Sequence, residues 1–397
     1  MADLETFRGE TRAWLDAQCP STLRGQDAPV AAVWGGRKWQ PAHPDQRVWL
    51  ERCAERGFTA PTWPKEFGGG GLSKDEAKIL AQEMRALRLP PPLLGFGLTM
   101  IGPTLLQYGT DDQKREHLPP ICRGEIRWCQ GYSEPGAGSD LAGLQTRAED
   151  CGDHYLLNGS KIWTSDADQA DWIFALVRTD PEAKKQEGIT FLLLDMETPG
   201  VSVSPIQLIS GASPFCETYF ENAKALKKDV VFKVNAGWTV AKALLGHERT
   251  MVAEAFGSGE GSRATLAERA RRYLPGAEAA GPLPDATLRD RIVQVEMDTR
   301  SFALTMQRSR DAAKAGQQPG PESSIFKVVG TELNQRRQEL LMDIAGPQGL
   351  GWEGEGFESD ELDLTRSWLR SRGNTIEGGT SEIQRNVIAK RVLGLPD

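Results

Sequence analysis

The sequence predicts an α+β protein in three parts: an all-helical N-terminal domain over 1–125, a middle β-barrel or sandwich domain over 126–237, and a C-terminal helical bundle over 238–397. Three observations carry this. Apolar residues recur at helical spacing up to about residue 125, short β-rich runs replace them through the middle, and helical spacing returns from Gly237 to the end. A length of 397 residues suits two or three domains better than one simple core.

In the first part, Val48, Leu50 and Cys53 fall on one helical face, and Ile79, Leu80 and Met84 on another. Between them Pro61 to Gly71 cannot be helical, and Trp63 and Phe67 are expected to pin neighbouring segments beneath that loop. Prolines 90 to 92 mark a second break. Pro103 to Leu118 reads as one or two helices ending at Pro119-Pro120, because proline lacks the N–H that a helix interior needs.

The middle part has strand-like runs at Trp172 to Val177, Ile189 to Leu194 and Val201 to Val203. Tyr155 to Leu157 and Lys161 to Trp163 flank Asn158-Gly159, which predicts a type I′ hairpin turn. Lys184 to Glu187 reads as a solvated hairpin loop. In the third part, Gly257 to Gly261 and Pro275 to Pro284 are breaks, whereas Ile292 to Ala313 and Phe326 to Ile344 are long amphipathic helices. A last helix is expected to start at Ser381, with Gln384 three residues on as a capping box and Ile383, Val387, Ile388 and Val392 as its apolar stripe.

Hydrophobic content of 39% and charged content of 26% are ordinary for a globular protein. No apolar run reaches membrane-spanning length, and Met1 to Trp14 does not read as a signal peptide. A net charge of −8 argues against a nucleic-acid surface. The six cysteines and four histidines are scattered, with neither disulfide-framework nor zinc spacing. A reduced cytoplasmic protein without metal is expected.

The stretch richest in chemistry runs from Trp128 to Asp166. Its first half, Tyr132-Ser133-Glu134-Pro135-Gly136-Ala137-Gly138-Ser139-Asp140, is a glycine-broken loop offering small hydroxyls and backbone N–H groups. Its second half, Asn158-Gly159-Ser160-Lys161-Ile162-Trp163-Thr164-Ser165, ends in an indole beside two hydroxyls. Together they could hold a flat aromatic ring with polar edges. These blocks, with Gly379-Thr380-Ser381-Glu382-Ile383-Gln384-Arg385 near the end, resemble the signatures of the acyl-CoA dehydrogenase family in its order and spacing. The resemblance covers nearly the whole chain and follows poorly only over Gly257 to Pro284.

The resemblance implies FAD as cofactor and α,β-desaturation of an acyl-CoA thioester to trans-2-enoyl-CoA, with a carboxylate removing the α-proton and the flavin N5 taking a hydride. It implies flavin contacts from Tyr132, Ser133, Gly138, Ser139, Trp163 and Ser165, with Arg271, Thr380 and Glu382 toward the adenine dinucleotide. Ser139, Arg249, Gly378 and Gly379 are the implied substrate contacts. Considered alone, each serine could equally serve a turn, and Trp163 could be a core aromatic.

Most members carry their base immediately before the C-terminal Gly-Thr, where this chain has Gly378; the nearest acid is Glu377. A minority keep it before an arginine on the first helix of the C-terminal domain, where this chain has Glu248-Arg249. Helical spacing independently puts Glu248 on one face with Ala241, Leu244, Leu245, Val252 and Ala255, an apolar stripe that would raise a carboxylate pKa. Glu248 is the expected base and Glu377 the runner-up.

Two segments depart from the family pattern. Arg271-Arg272-Tyr273-Leu274-Pro275-Gly276 keeps an arginine and loses a Phe-Gly, and Asp343 to Gly349 brings a carboxylate where a diphosphate would repel it. Similar departures occur in heteromeric members acting on steroid side chains. The implied partners are an acyl-CoA substrate, an electron-transferring flavoprotein as electron acceptor, and further copies of the chain as a homotetramer or dimer, or a related subunit in a heteromer. An acyl-CoA oxidase, a desulfinase, or a non-catalytic subunit of a heteromeric dehydrogenase are the alternatives.

Overall fold

The computed structural model describes residues 2–25, 32–244, 265–274, 276, 281–316 and 320–396. It divides into two compact units, one of residues 1–206 with 214–247 and one of 207–213 with 248–397.

The first unit opens with helices α1 (Ala2–Gln18), α2 (Pro44–Glu55), α3 (Lys74–Ala86), α4 (Gly102–Tyr108) and α5 (Asp111–Cys122). Ser73 with Glu76, and Thr110 with Gln113, close reciprocal capping boxes that fix where α3 and α5 begin. Leu15, Trp49, Cys53, Phe58 and Leu80 bury one apolar cluster, while Arg8 and Arg12 of α1 clamp the buried Glu83 of α3 at 2.6 and 2.8 Å. Trp63 is buried against the second core, as its place in the Pro61 loop predicts.

Helix α5 does not stop at Pro119-Pro120; both prolines lie inside its last turn. The turn survives because the carbonyls of Pro119 and Pro120 are satisfied by the N–H groups of Arg123 and Glu125. The cost is the two donors that proline lacks, which would otherwise reach the carbonyls of Arg115 and Glu116.

Seven strands follow: β1 (Trp128–Gly131), β2 (Arg147–Asp150), β3 (His154–Ser165), β4 (Trp172–Arg178), β5 (Ile189–Asp195), β6 (Val201–Ile206) and β7 (Phe215–Leu226). They form one sheet in the order β1-β4-β2-β3-β7-β6, with β5 beside β4. Strands β4 and β5 are buried on both faces. Phe174, Leu176, Phe191 and Leu193 pack with Trp63, Met100, Leu105 and Leu118 on one side. Ile173, Ala175, Val177, Leu192 and Leu194 pack with Tyr155, Leu157, Cys216 and Phe220 on the other. A helix over 237–244, α6, adds Val240, Ala241 and Leu244 to the first of these cores.

Asn158-Gly159 is not a hairpin turn. Strand β3 runs through it, paired with β7 on one side and β2 on the other, with a register shift at Leu157/Asn158. The Asn158 side chain instead bonds across to Asn222, and the turn before β3 is made at Gly152-Asp153. Gly159 has φ +142°, and a Cβ there would lie 2.8 Å from Thr146 Cα. Its lack of a side chain lets the segment leading into β2 approach β3, while the extra residue at the register shift is Asn222 of β7, at φ +53°.

The second unit is helical: α7 (Leu266–Tyr273), α8 (Ala286–Lys314), α9 (Ser323–Ala345), α10 (Ser359–Ser371) and α11 (Ser381–Val387). Leu266, Ile292, Val295, Leu340, Ile344 and Leu364 make its core. Among the described residues no helix is long and apolar enough to cross a membrane. The sequence breaks at 257–261, at 275 and over 277–280 lie outside the described residues.

Gly159→Ala is expected to lose roughly 1–3 kcal/mol of stability, because the added methyl meets backbone and the φ value is unfavourable for an L side chain. Urea denaturation measures this; a wild-type midpoint would refute the close-approach role.

Candidate active site

At the end of β3 the ladder breaks again, between Lys161 and Thr164. Within the break Trp163 adopts φ +60°, a left-handed value unusual for a bulky residue, and just past the end of β3 Asp166 adopts φ +50°. The result turns the Trp163 indole outward, 53% exposed, edge-on to Phe215 at 6.1 Å. It is therefore not a core aromatic. Strain of this kind persists only where surroundings enforce it. Here Ile162 N–H donates to Ser133 O at 2.8 Å and Asp166 N–H to Pro214 O at 2.9 Å.

That first bond lays the Ser133 loop beside Trp163. The Tyr132 ring stands edge-on to Phe174 and Phe191 in the core, so its side chain is committed inward. Ser133 and Ser165 are half-buried, and among the described residues neither hydroxyl has a hydrogen-bond partner. A serine kept for a turn would use its hydroxyl locally; these do not. Ser139 is exposed on the following turn, and a Cβ on Gly138 would meet open space.

Beneath this surface lies an ion pair whose role the motif does not announce. The Lys161 ammonium is fully buried and donates to Glu134 Oε1 at 2.6 Å and to Tyr132 O at 3.3 Å. Glu134 also accepts from the backbone N–H of Gln145 at 2.6 Å and of Thr146 at 2.9 Å. Burial opposes charge on Glu134, yet Lys161 and these donors together hold its pKa below the ordinary value. Burial lowers Lys161 to about 8, against the pull of Glu134. The signal was present in the sequence: the two-residue period of Tyr155 and Leu157, carried on to Lys161, sets a lysine on a buried face and requires a partner.

The remaining candidates belong to the second unit or lie outside the described residues. Glu248 and Arg249 are outside them. Glu377 is exposed and engaged, paired with Arg370 at 2.7 Å and accepting from Asn374 at 2.6 Å. Gly378 and Gly379 beside it are both left-handed, at φ +65° and +86°. The cap of α11 is Thr380, not Ser381: the Thr380 hydroxyl accepts from Ile383 N–H at 3.2 Å. The Ser381 hydroxyl is buried without a hydrogen-bond partner among the described residues, and the Gln384 amide turns to Gly378 O. Glu382, in the first turn, has its pKa lowered chiefly by its own backbone N–H and then by Thr380. Arg271 donates to Gly281 O at 3.0 Å. Asp343, the carboxylate expected to repel a diphosphate, is paired with Arg291 at 2.5 Å.

Family models of the acyl-CoA dehydrogenase N-terminal, middle and C-terminal domains match residues 4–125, 129–223 and 235–393. The chain belongs to the acyl-CoA dehydrogenase family. It is 35% identical over 399 residues to the acyl-CoA dehydrogenase IpdE1 of Mycobacterium tuberculosis, covering 100% of this chain and 99% of that one. It is 34% identical to FadE29 of the same organism, over 89% of each chain. Among solved structures it resembles the Tcur3481-Tcur3483 steroid acyl-CoA dehydrogenase, with a TM-score of 0.74, 30% identity, and coverage of 100% and 98%. The ChsE4-ChsE5 complex from Mycobacterium tuberculosis is similar at TM-score 0.71 and 28% identity, with the same coverage.

This acyl-CoA dehydrogenase is thus an FAD-dependent oxidoreductase by family. Its residues fit the cofactor. An outward indole offers a face for an aromatic ring, and two unengaged hydroxyls beside it offer hydrogen bonds to a polar ring edge.

Glu134→Gln leaves the Lys161 ammonium buried without its counter-charge and is expected to cost about 3–5 kcal/mol in urea denaturation. The sign with pH follows from the depressed Glu134 value. Its contribution is present above the ordinary value of 4.5 and is lost as pH falls through the lower folded value. Acid titration of wild type should show this loss and Glu134→Gln should lack it; equal acid slopes would overturn the assignment.

Proposed function

We propose that this enzyme desaturates an acyl-CoA thioester between Cα and Cβ to give the trans-2-enoyl-CoA, with Glu248 as the base. The observation that carries this reading is the strained, outward display of Trp163 between the unengaged hydroxyls of Ser133 and Ser165. FAD, when bound, supplies the hydride acceptor. The chain supplies the rest. Tyr132 through its backbone, with Ser133, Trp163 and Ser165, orients the ring. Gly138 and Ser139 contact the cofactor, and Ser139 also borders the pantetheine arm. Arg271, Thr380 and Glu382 approach the dinucleotide, and Arg249, Gly378 and Gly379 the substrate.

The α-proton goes to a carboxylate, which must be unpaired and sheltered from water to act as a base near neutral pH. Ala241 and Leu244 are fully buried on α6, and in the sequence Glu248 follows Leu244 by four residues, the spacing that shares one helical face. Glu377, by contrast, would have to leave Arg370 and Asn374. Domain borders near 125 and 237 accompany this reading, as does electron transfer to an electron-transferring flavoprotein in the cytoplasm. The steroid enzyme and two-chain complex among the relatives support a bulky, steroid-derived acyl group and an assembly with a related subunit.

Anaerobic titration with acyl-CoAs of several sizes, following the flavin's visible absorbance, tests this. Wild type and Glu377→Gln should bleach, and Glu248→Gln should bleach at least ~100-fold more slowly. Bleaching that survives Glu248→Gln removes it as base. Protein that neither carries nor takes up FAD argues for a non-catalytic subunit.

A further inference from the structure

The residue after Ser165 is Asp166, and it is not left to solvent. Its carboxylate meets the Arg127 guanidinium at 2.7 Å, with the aspartate side chain 40% exposed and the arginine 13%. Arg127 is fixed from three sides. Its guanidinium lies 5.1 Å from the centre of the Trp34 ring. Its own N–H donates to Asp171 Oδ2 at 2.7 Å, and Asp171, almost fully buried, also accepts from the Arg37 N–H at 3.0 Å. Its carbonyl accepts from the Asp171 N–H at 2.8 Å. The Trp34 segment is seated closely enough that a Cβ on Gly36, at φ +97°, would fall 2.8 Å from both Arg127 Cβ and Asp171 Oδ2. A buttress thus runs from the N-terminal segment through Arg127 to the left-handed residue that directly follows β3.

Two consequences follow from that placement. Asp166 is one residue from Ser165 and three from Trp163, so the pair holds the strained turn that presents both. It also sets two opposite charges at the edge of the ring seat, in a setting where the arginine is largely withdrawn from solvent and therefore weakly screened. We propose that the Arg127–Asp166 pair is a positioning element for the flavin seat that balances charge beside the bound ring and so sets its reduction potential. The proposal rests on the reading of Ser133, Trp163 and Ser165 as that seat.

Electrons entering the ring add negative charge to it. An uncompensated arginine nearby favours that change and an uncompensated aspartate opposes it. Asp166→Asn, isosteric with the native side chain, is expected to shift the flavin midpoint potential upward. Arg127→Met should shift it downward, and Arg127→Lys, which keeps the charge, should return it toward wild type.

The experiment is spectroelectrochemical titration of the purified full-length protein loaded with FAD, with flavin content and thermal midpoint recorded for each variant. Opposite shifts for Asp166→Asn and Arg127→Met, with recovery in Arg127→Lys, are the expected result. Shifts of the same sign would mean that the seat had only loosened and would overturn the charge-balancing role. An unchanged potential in folded, fully loaded Asp166→Asn and Arg127→Met would overturn the proposal while leaving the seat intact. Should Arg127→Met fail to fold, Asp166→Asn against wild type and Arg127→Lys still decides the sign. Wild-type protein that takes up no FAD would defeat the seat itself, an outcome distinct from either.

Discussion

Everything at the candidate active site depends on one buried contact, between the Lys161 ammonium and the Glu134 carboxylate. Ser133 stands between the two chain positions that Lys161 holds, the carbonyl of Tyr132 and the side chain of Glu134. Two residues beyond Lys161 stands Trp163. Withdrawing two charges from water is costly, and such a pair is tolerable only when its remaining hydrogen-bonding capacity is met. Gln145 and Thr146 meet it through their backbone N–H groups, which also ties the start of β2 to the loop. An apolar pair of similar volume could fill the space. It could not dictate which loop carbonyl faces which strand.

The sheet supplies the rigidity that lets strain accumulate at its rim. With β4 and β5 covered on both faces, neither can shift without opening two cores at once. Strand β1 pairs with β4 in parallel and leads directly into Tyr132, so the loop begins from a fixed point. Strand β3 is paired with β7 along most of its length and with β2 over 155–158. The bulge that turns Trp163 outward is consequently held between residues paired to β7 on both sides, a condition under which left-handed non-glycine residues persist.

Periodicity made the large divisions legible. The switch from a repeat of 3.6 to one of 2 and back again depends on which face of each element is buried, and burial is written locally into the sequence. Local signals failed where a second element decided the outcome. Asn158-Gly159 has the chemistry of a tight turn, but β2 and β7 on either side make straight pairing worth more than turning. Pro119-Pro120 reads as a stop, yet the donors that follow satisfy their carbonyls and the helix runs on. Ser381 and Thr380 are both good caps, and only the backbone geometry selects Thr380. The engagement of Glu134 with Lys161, 27 positions apart, depends on the sheet that brings them together. So does the finding that, among the described residues, the hydroxyls of Ser133 and Ser165 have no hydrogen-bond partner.

The charges around Glu377 hold it where it stands. Glu377 belongs to a cationic neighbourhood. Arg370 grips it, and its field reaches Lys327, an almost fully buried ammonium with no hydrogen-bond partner among the described residues. Burial lowers the Lys327 pKa, and Glu377, followed by Glu382 and Glu332, opposes that fall. The carboxylate therefore helps to keep a buried cation charged, and drawing it away to abstract a proton would expose that cost. A left-handed Gly378-Gly379 pair adjoins it where most of the family places its base. Those residues suit a turn tied down at Glu377 and capped at Thr380.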